Sequence, residues 1–336
     1  MMDQFLYGTE AAINGLMTGV MYSLVALGFV LIFKASGIFN YAQGVMALFG
    51  ALTLVGIQEG QIPFAGLINA IFGTNIQKFG WELPAIAAIL LTIGVMILFA
   101  WLVERLLLKH LVNQEPIILF MATIGLAYFM EGVGDLMWGS NIKTLNLGLT
   151  QGLNETIDAA TYDWFGYGFY IDNLDITAAI IAIILVVALT IFSQYSTTGR
   201  ALRAVADDHQ AALSVGISLR FIWVVVWAIA GFIALVAGVM WGAKSGVQFS
   251  LSLITLKALP VLMLGGFTSI PGAIIGGMII GVGEKLFEFI VSSSWFGDFF
   301  GFTMNATENW FAYVLALIFL VFRPQGLFGD KIIERV

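Results

Sequence analysis

Apolar runs with few or no charges, long enough or nearly long enough to cross a lipid bilayer, recur along the whole chain. They fall at about 12–33, 38–57, 83–103, 117–138, 176–194, 221–243, 253–267, 271–291 and 309–322. A helix needs roughly 20 apolar residues to traverse the hydrocarbon layer, so most of these segments are candidate spans. Apolar residues make up 60% of the 336, and charged residues only 10%. A water-soluble fold of that composition would lack the polar surface to coat itself. Backbone groups in lipid must pair within their own segment, and the alternation of a barrel strand is absent, so the runs are expected to be helices. The expected class is all-α: a polytopic membrane bundle of about eight or nine transmembrane helices, forming one transmembrane domain over 1–336. The run 62–73 is too short to cross and is expected to be an interfacial or re-entrant turn.

Lysine and arginine in short connections set the expected orientation. Arg105 and Lys109 follow the third run, Arg200, Arg203 and Arg220 lie between the fifth and sixth, and Arg323, Lys331 and Arg335 follow the last. With Lys34 they place these segments in the cytoplasm, the N-terminus outside and the C-terminus inside, which nine spans satisfy. The connection 139–175 then lies outside, carrying Glu155, Asp158, Asp163, Asp172 and Asp175 against a single Lys143. The N-terminal decapeptide has Asp3 and Glu10 and no basic residue, so the first run is expected to be retained rather than cleaved as a signal.

The connection 195–220 differs from the rest. Its 201–213 stretch spaces Ala, Leu and Val at helical intervals between charges, which predicts a short amphipathic surface helix. Asp207 and Asp208 followed by Gly216 suit a helix ending in a glycine turn. Two roles fit such a helix: resting on lipid headgroups, or docking a cytoplasmic partner.

Two further segments concentrate polar and turn-forming residues. Asn40, Tyr41 and Gln43 precede Gly44 at the start of the second run, with Asn40 a candidate helix cap. Gly265, Gly266, Ser269, Pro271 and Gly272 join the seventh and eighth runs, as a tight turn requires. Both segments fit structural punctuation, and both fit gating. Ionisable groups inside spans are costly and tend to face a cavity or partner. Glu131 and Asp135 lie on the fourth run, Lys257 begins the seventh, and Glu284, Lys285 and Glu288 lie toward the outer end of the eighth, within snorkelling reach. Of these, Glu131 and Lys257 are candidates to line a path and meet the charged ends of a zwitterion. His110 and His209 sit in polar connections and are expected to be solvated, and cysteine is absent. No Gly-x-x-x-x-Gly-Lys-Ser/Thr loop, His-Glu-x-x-His or Gly-x-Ser-x-Gly occurs, so no nucleotide, metal or catalytic site is expected in this chain.

Residues 38–44 (Ile-Phe-Asn-Tyr-Ala-Gln-Gly) and 262–277 (Leu-Met-Leu-Gly-Gly-Phe-Thr-Ser-Ile-Pro-Gly-Ala-Ile-Ile-Gly-Gly) resemble the permeases of high-affinity branched-chain amino acid importers. That family usually reads Asn-Phe-Ala-His/Gln-Gly and Gly-Gly-x-Gly-Ser-Ile-Pro-Gly; Tyr41 and Thr268 depart from it. Asp208, Ala211, Ala212 and Gly216, led by Arg200 and Arg203, are similar to the acidic-Ala-Ala…Gly coupling helix of such permeases, with aspartate for the usual glutamate. The resemblance runs from about 12 to 328 and is weakest in 58–82 and 139–175. It implies a bacterial inner-membrane subunit of an ATP-driven, binding-protein-dependent importer working by alternating access. The implied partners are a second homologous permease (hetero- or homodimer), two cytoplasmic ATPase subunits holding ATP and Mg, a periplasmic solute-binding protein and membrane lipid, with no nucleic acid. Urea, short amides and other amino acids are alternative cargoes within the resemblance, and an ion-coupled secondary transporter is the alternative outside it.

Overall fold

The computed structural model describes residues 2–80, 82–111, 114–207, 209–300 and 307–329. Its helices are α1 (Met2–Ser36), α2 (Gln43–Gln58), α3 (Ala65–Phe72), α4 (Ala85–Leu106), α5 (Pro116–Trp138), α6 (Glu155–Phe165), α7 (Asn173–Tyr195), α8 (Thr197–Asp207), α9 (His209–Ser214), α10 (Leu219–Ser245), α11 (Ile254–Gly265), α12 (Ile270–Ser292), α13 (Ser294–Phe300) and α14 (Glu308–Phe322). Short 3-10 turns cover Leu108–His110 and Phe249–Leu253. Among the described residues no strand forms beyond isolated bridges. The chain is all-α, as expected.

Five helical segments are long and apolar enough to span: Gln4–Ser36, Ala85–His110, Pro116–Trp138, Asn173–Tyr195 and Leu219–Ser245. Phe249–Gly265 and Ile270–Ser292 pass together but are bent by 113° at their junction. Gln43–Gln58 and Trp310–Phe322 are apolar but shorter. Each expected run therefore contains a helix. The 62–73 run yields only the eight-residue α3, none of it buried. Lys331 and Arg335 lie outside the described residues.

The chain gathers into two compact units, one from 1–26, 149–187 and 256–336, the other from 27–148 and 188–255. In the second unit α2 is the central element, buried from Gln43 through Gly56 and packed by α10, α4, α5 and the 249–253 turn. At 16 residues it covers about 24 Å, short of a bilayer's hydrocarbon thickness of about 30 Å. Protein rather than lipid surrounds it. Small residues permit this: a methyl group added at Gly44 would overlap Thr255, at Gly56 the Trp138 ring, and at Gly238 the Ala47 carbonyl. Such contacts let helices approach closely where lipid supplies no hydrophobic drive for association.

The first unit uses the same device on α1 and α12. Gly15 and Gly19 lie against the backbone of Gly277 and Gly281, and Ser23 Oγ hydrogen-bonds the Ala273 carbonyl at 3.1 Å. α14 closes on α12 by stacking Phe311 on Phe287, centroids 4.2 Å apart.

Candidate functional site

The 195–220 connection is helical over Thr197–Asp207 and His209–Ser214, as the spacing of its small and aliphatic residues predicts. Ser196 turns the chain out of α7: its hydroxyl donates to the Phe192 carbonyl (2.6 Å) and accepts from Gly199 N (2.8 Å). Gly199 sits so close to the Phe192 and Ser193 backbone that no side chain fits there. α8 then buries Leu202 and Val205, and α9 buries Ala212. Arg200, Asp207, Ala211 and Gly216 are exposed, and Arg203 is half-buried. Leu213 and Val215 remain 53% and 78% exposed. Gly216, at φ 85°, reverses the chain where a side chain would be strained. Ser218 then caps α10 by accepting from Phe221 N. The amphipathic expectation holds for Thr197–Asp207 and His209–Ser214. Asp208, the expected acidic member of the motif, lies outside the described residues.

Asn40 does not cap a helix. α2 begins at Gln43, with Ala42 at the cap position. Asn40 Oδ1 accepts from Ala42 N (3.2 Å), while its amide donates inward to Gln43 Oε1 and Met46 Sδ. Gln43 passes the chain on to the Ala230 carbonyl of α10 at 3.3 Å. Both side chains are completely buried. Burying amides costs unless they are paired, and here each is paired within the protein. A side chain at Gly28 would overlap the Gln43 amide. Tyr41, half-buried, offers its backbone N–H to Thr123 Oγ1 (3.1 Å), and that hydroxyl in turn reaches the Phe39 carbonyl.

The 265–272 segment is a tight inter-helix turn, as its composition predicts. Gly266 adopts φ 102°, Ser269 Oγ caps α12 by accepting from Gly272 N (3.0 Å), and Pro271 occupies the first helical turn. The closing segment seals the turn, with Leu327 N donating to the Leu264 carbonyl (2.8 Å) and Phe328 N to that of Gly265 (3.2 Å).

Within the same unit, Lys257 of α11 does not stand alone. Its ammonium donates to the Tyr22 hydroxyl at 3.2 Å and lies 5.6 Å from that ring's centroid. Tyr22 Oη donates onward to Glu284 Oε2 at 3.0 Å. Tyr22 and Glu284 are 2% and 1% exposed, and Lys257 is half-buried. Glu284 therefore does not snorkel; it is enclosed among α1, α11 and α12, in a chain of polar groups ending on a cation. An embedded carboxylate with a cation linked through a phenol is the arrangement that low-dielectric surroundings tolerate. Lys285 and Glu288 instead pair with each other at 2.9 Å near the surface. Glu131 is half-buried and Asp135 exposed on α5.

Sequence reasoning also passed over Glu104, only 3% exposed in the last turn of α4. Its Oε1 lies 3.3 Å from Arg220 Nε at the start of α10. Its position beside Arg105 resembled an ordinary interfacial charge, and its partner is far away in sequence.

The 139–175 connection contains an unforeseen helix, α6. Asn154 caps it by accepting from Ile157 N (3.0 Å), and Glu155 and Asp158 favour its N-terminal dipole. Phe169 and Ile171 pack with Leu6 of α1. Glu10 accepts from the Tyr167 hydroxyl and from Tyr170 N (3.1 Å). Burial, then the bond to Glu10, raises the Tyr167 phenol above its ordinary range. Lys143, 8% exposed, donates to Gln61 Oε1. Desolvation lowers its pKa from 10.5, opposed by attraction to Glu59 and aided by repulsion from Lys78.

Residues 11–322 match the family described as branched-chain amino acid transport system / permease component. The chain is 28% identical to the high-affinity branched-chain amino acid transport system permease protein LivH of Escherichia coli K12, with 100% of both chains covered. It is 27% identical to the BraD permease of Pseudomonas aeruginosa, again over 100% of both. The fructose import permease FruF of Bifidobacterium longum is 24% identical over 93% of this chain and 77% of its own. No solved structure matches. A match over nearly the whole chain, together with apolar spans threaded through it, makes this a multi-pass membrane protein of the branched-chain amino acid transport permease family.

Proposed function

We infer that the chain is the translocation subunit of an ATP-driven importer in the bacterial inner membrane, taking up branched-chain amino acids. The observation that carries this reading is the α8–α9 element. One face is anchored by Leu202, Val205 and Ala212, and the other leaves Ala211, Leu213 and Val215 open. Exposed aliphatics beside a glycine turn suit the groove of a protein partner, and the chain has no phosphate-binding loop of its own. The partner in this reading is a pair of ATPase subunits, which hold the ATP and Mg. A second homologous permease completes the path, and a periplasmic receptor delivers solute to the face carrying 139–175. The cytoplasm then holds 195–220, and the whole of 1–336 acts as one permease domain. ATP drives transport by favouring one of two arrangements of the permease pair, which requires contacts that differ between them.

Two relatives of full-length coverage are named for branched-chain amino acids, which supports that cargo over the sugar named for a shorter match. In this reading Lys257, a half-buried ammonium that donates to Tyr22, meets the anionic end of the cargo. The embedded Glu284 favours one other reading, an ion-coupled carrier working alone. Co-purification followed by reconstitution separates them. ATP-dependent leucine uptake by a complex containing ATP-hydrolysing subunits supports the importer, and uptake by this chain alone under an ion gradient overturns it.

A further inference from the structure

We propose that Glu104 and Arg220 form the joint through which movement of α9 reaches the membrane-spanning helices α4 and α10. The inference rests on the importer reading and adds two positioning residues to it. Local helix preference does not account for the pair. Glu104 is an acid in the last turn of α4, where the helix dipole disfavours negative charge. Arg220 is a base in the first turn of α10, where the dipole disfavours positive charge. Burial adds to the cost for Glu104, whose side chain is only 4% exposed. Each group is tolerable because the other faces it, at 3.3 Å.

The pair also stands at the root of the docking element. A cavity of about 250 Å³ opens beside it, lined by Glu104, Lys109, Leu213, Ser218, Arg220 and Trp223. Leu213 belongs to α9, and the link from α9 to α10 is residues 215–218, with Gly216 at φ 85° and Ser218 as cap. A shift of α9 therefore pulls on the capped N-terminus of α10, and Arg220, in that first turn, carries the pull across to α4. The cavity gives Leu213 room to move without breaking the core. Burying only the carboxylate leaves Arg220, 72% exposed, able to swing while keeping contact.

The experiment uses the whole complex in proteoliposomes, with leucine as the probe, measuring uptake and ATP hydrolysis together. Glu104→Gln is expected to lower leucine moved per ATP hydrolysed at least tenfold while the ATPase subunits stay bound. The exchange Glu104→Arg with Arg220→Glu restores the ratio to within threefold of the parent. Arg220→Lys, on an exposed side chain, keeps the charge and retains the ratio, whereas Arg220→Gln loses it; this pair decides the matter if Glu104→Gln does not accumulate. A ratio within twofold of the parent in Glu104→Gln or Arg220→Gln overturns the joint. Absence of ATP-dependent uptake by the unaltered complex overturns the importer reading, and the joint with it.

Discussion

The two long polar connections solve opposite problems. Residues 149–175 are tied down at every turn: Asn154 and Asn173 bond each other at 2.7 Å, Asp172 Oδ1 accepts from Gly152 N and Leu174 N, and Phe169 and Ile171 are sunk against Leu6. Residues 197–216 have one buried stripe and an open face that includes exposed aliphatics. The first segment satisfies its polar groups largely from within, while Tyr162, Trp164, Phe165 and Tyr170 stay exposed on it. In the second, aliphatics stay exposed next to the paired Glu104 and Arg220, and this is the surface that the importer reading assigns to its ATPase partner.

The largest break in that comparison comes from the open face. Ala211→Arg combined with Val215→Asp alters only exposed positions. Leucine uptake is therefore expected to fall to background, with membrane abundance and melting temperature unchanged. A parallel fall in abundance would assign the segment to folding instead. The anchored connection should respond the other way. Phe169→Ala empties a buried site and is expected to cost about 3 kcal/mol of stability, with the uptake per folded molecule retained. Thermal melting in detergent beside uptake normalised to folded protein checks both. Asn154→Ala removes only the cap of α6, an expected loss of about 1 kcal/mol, read by the same melt.

The smallest effect is a pH signature at Lys143. Its lowered pKa means that the folded protein holds this proton more weakly than the unfolded chain does. The penalty for burying the charge is complete below the folded pKa and fades as pH rises toward 10.5. The melting difference between Lys143→Met and the parent should therefore move against the variant from about pH 7 to about pH 10. A difference independent of pH would contradict the assignment.

Much of this was legible locally. Apolar runs marked the helices, and the Ser269, Pro271 and Gly272 sequence marked a capped turn because all its bonds close within a few residues. The charge-flanked stripe in 201–213 likewise announced an amphipathic element. What stayed hidden depends on pairing across the chain. Tyr22 meets Glu284 across 262 positions, and no periodicity relates them. Gln43 looked like a polar helix start, yet it turns inward because the Ala230 carbonyl and the space left by Gly28 receive it. α6 was missed because its stability comes from an asparagine cap and an acidic first turn rather than from an apolar stripe.

The account turns on whether the open face of α9 meets an ATPase. The natural absence of cysteine allows one to be placed alone at Val215, exposed and at the tip of the connection. Labelling with a membrane-impermeant maleimide should succeed in inside-out vesicles, fail in right-side-out ones, and be blocked when the ATPase subunits are bound. Labelling from the outer side, or equal labelling with and without those subunits, would contradict it.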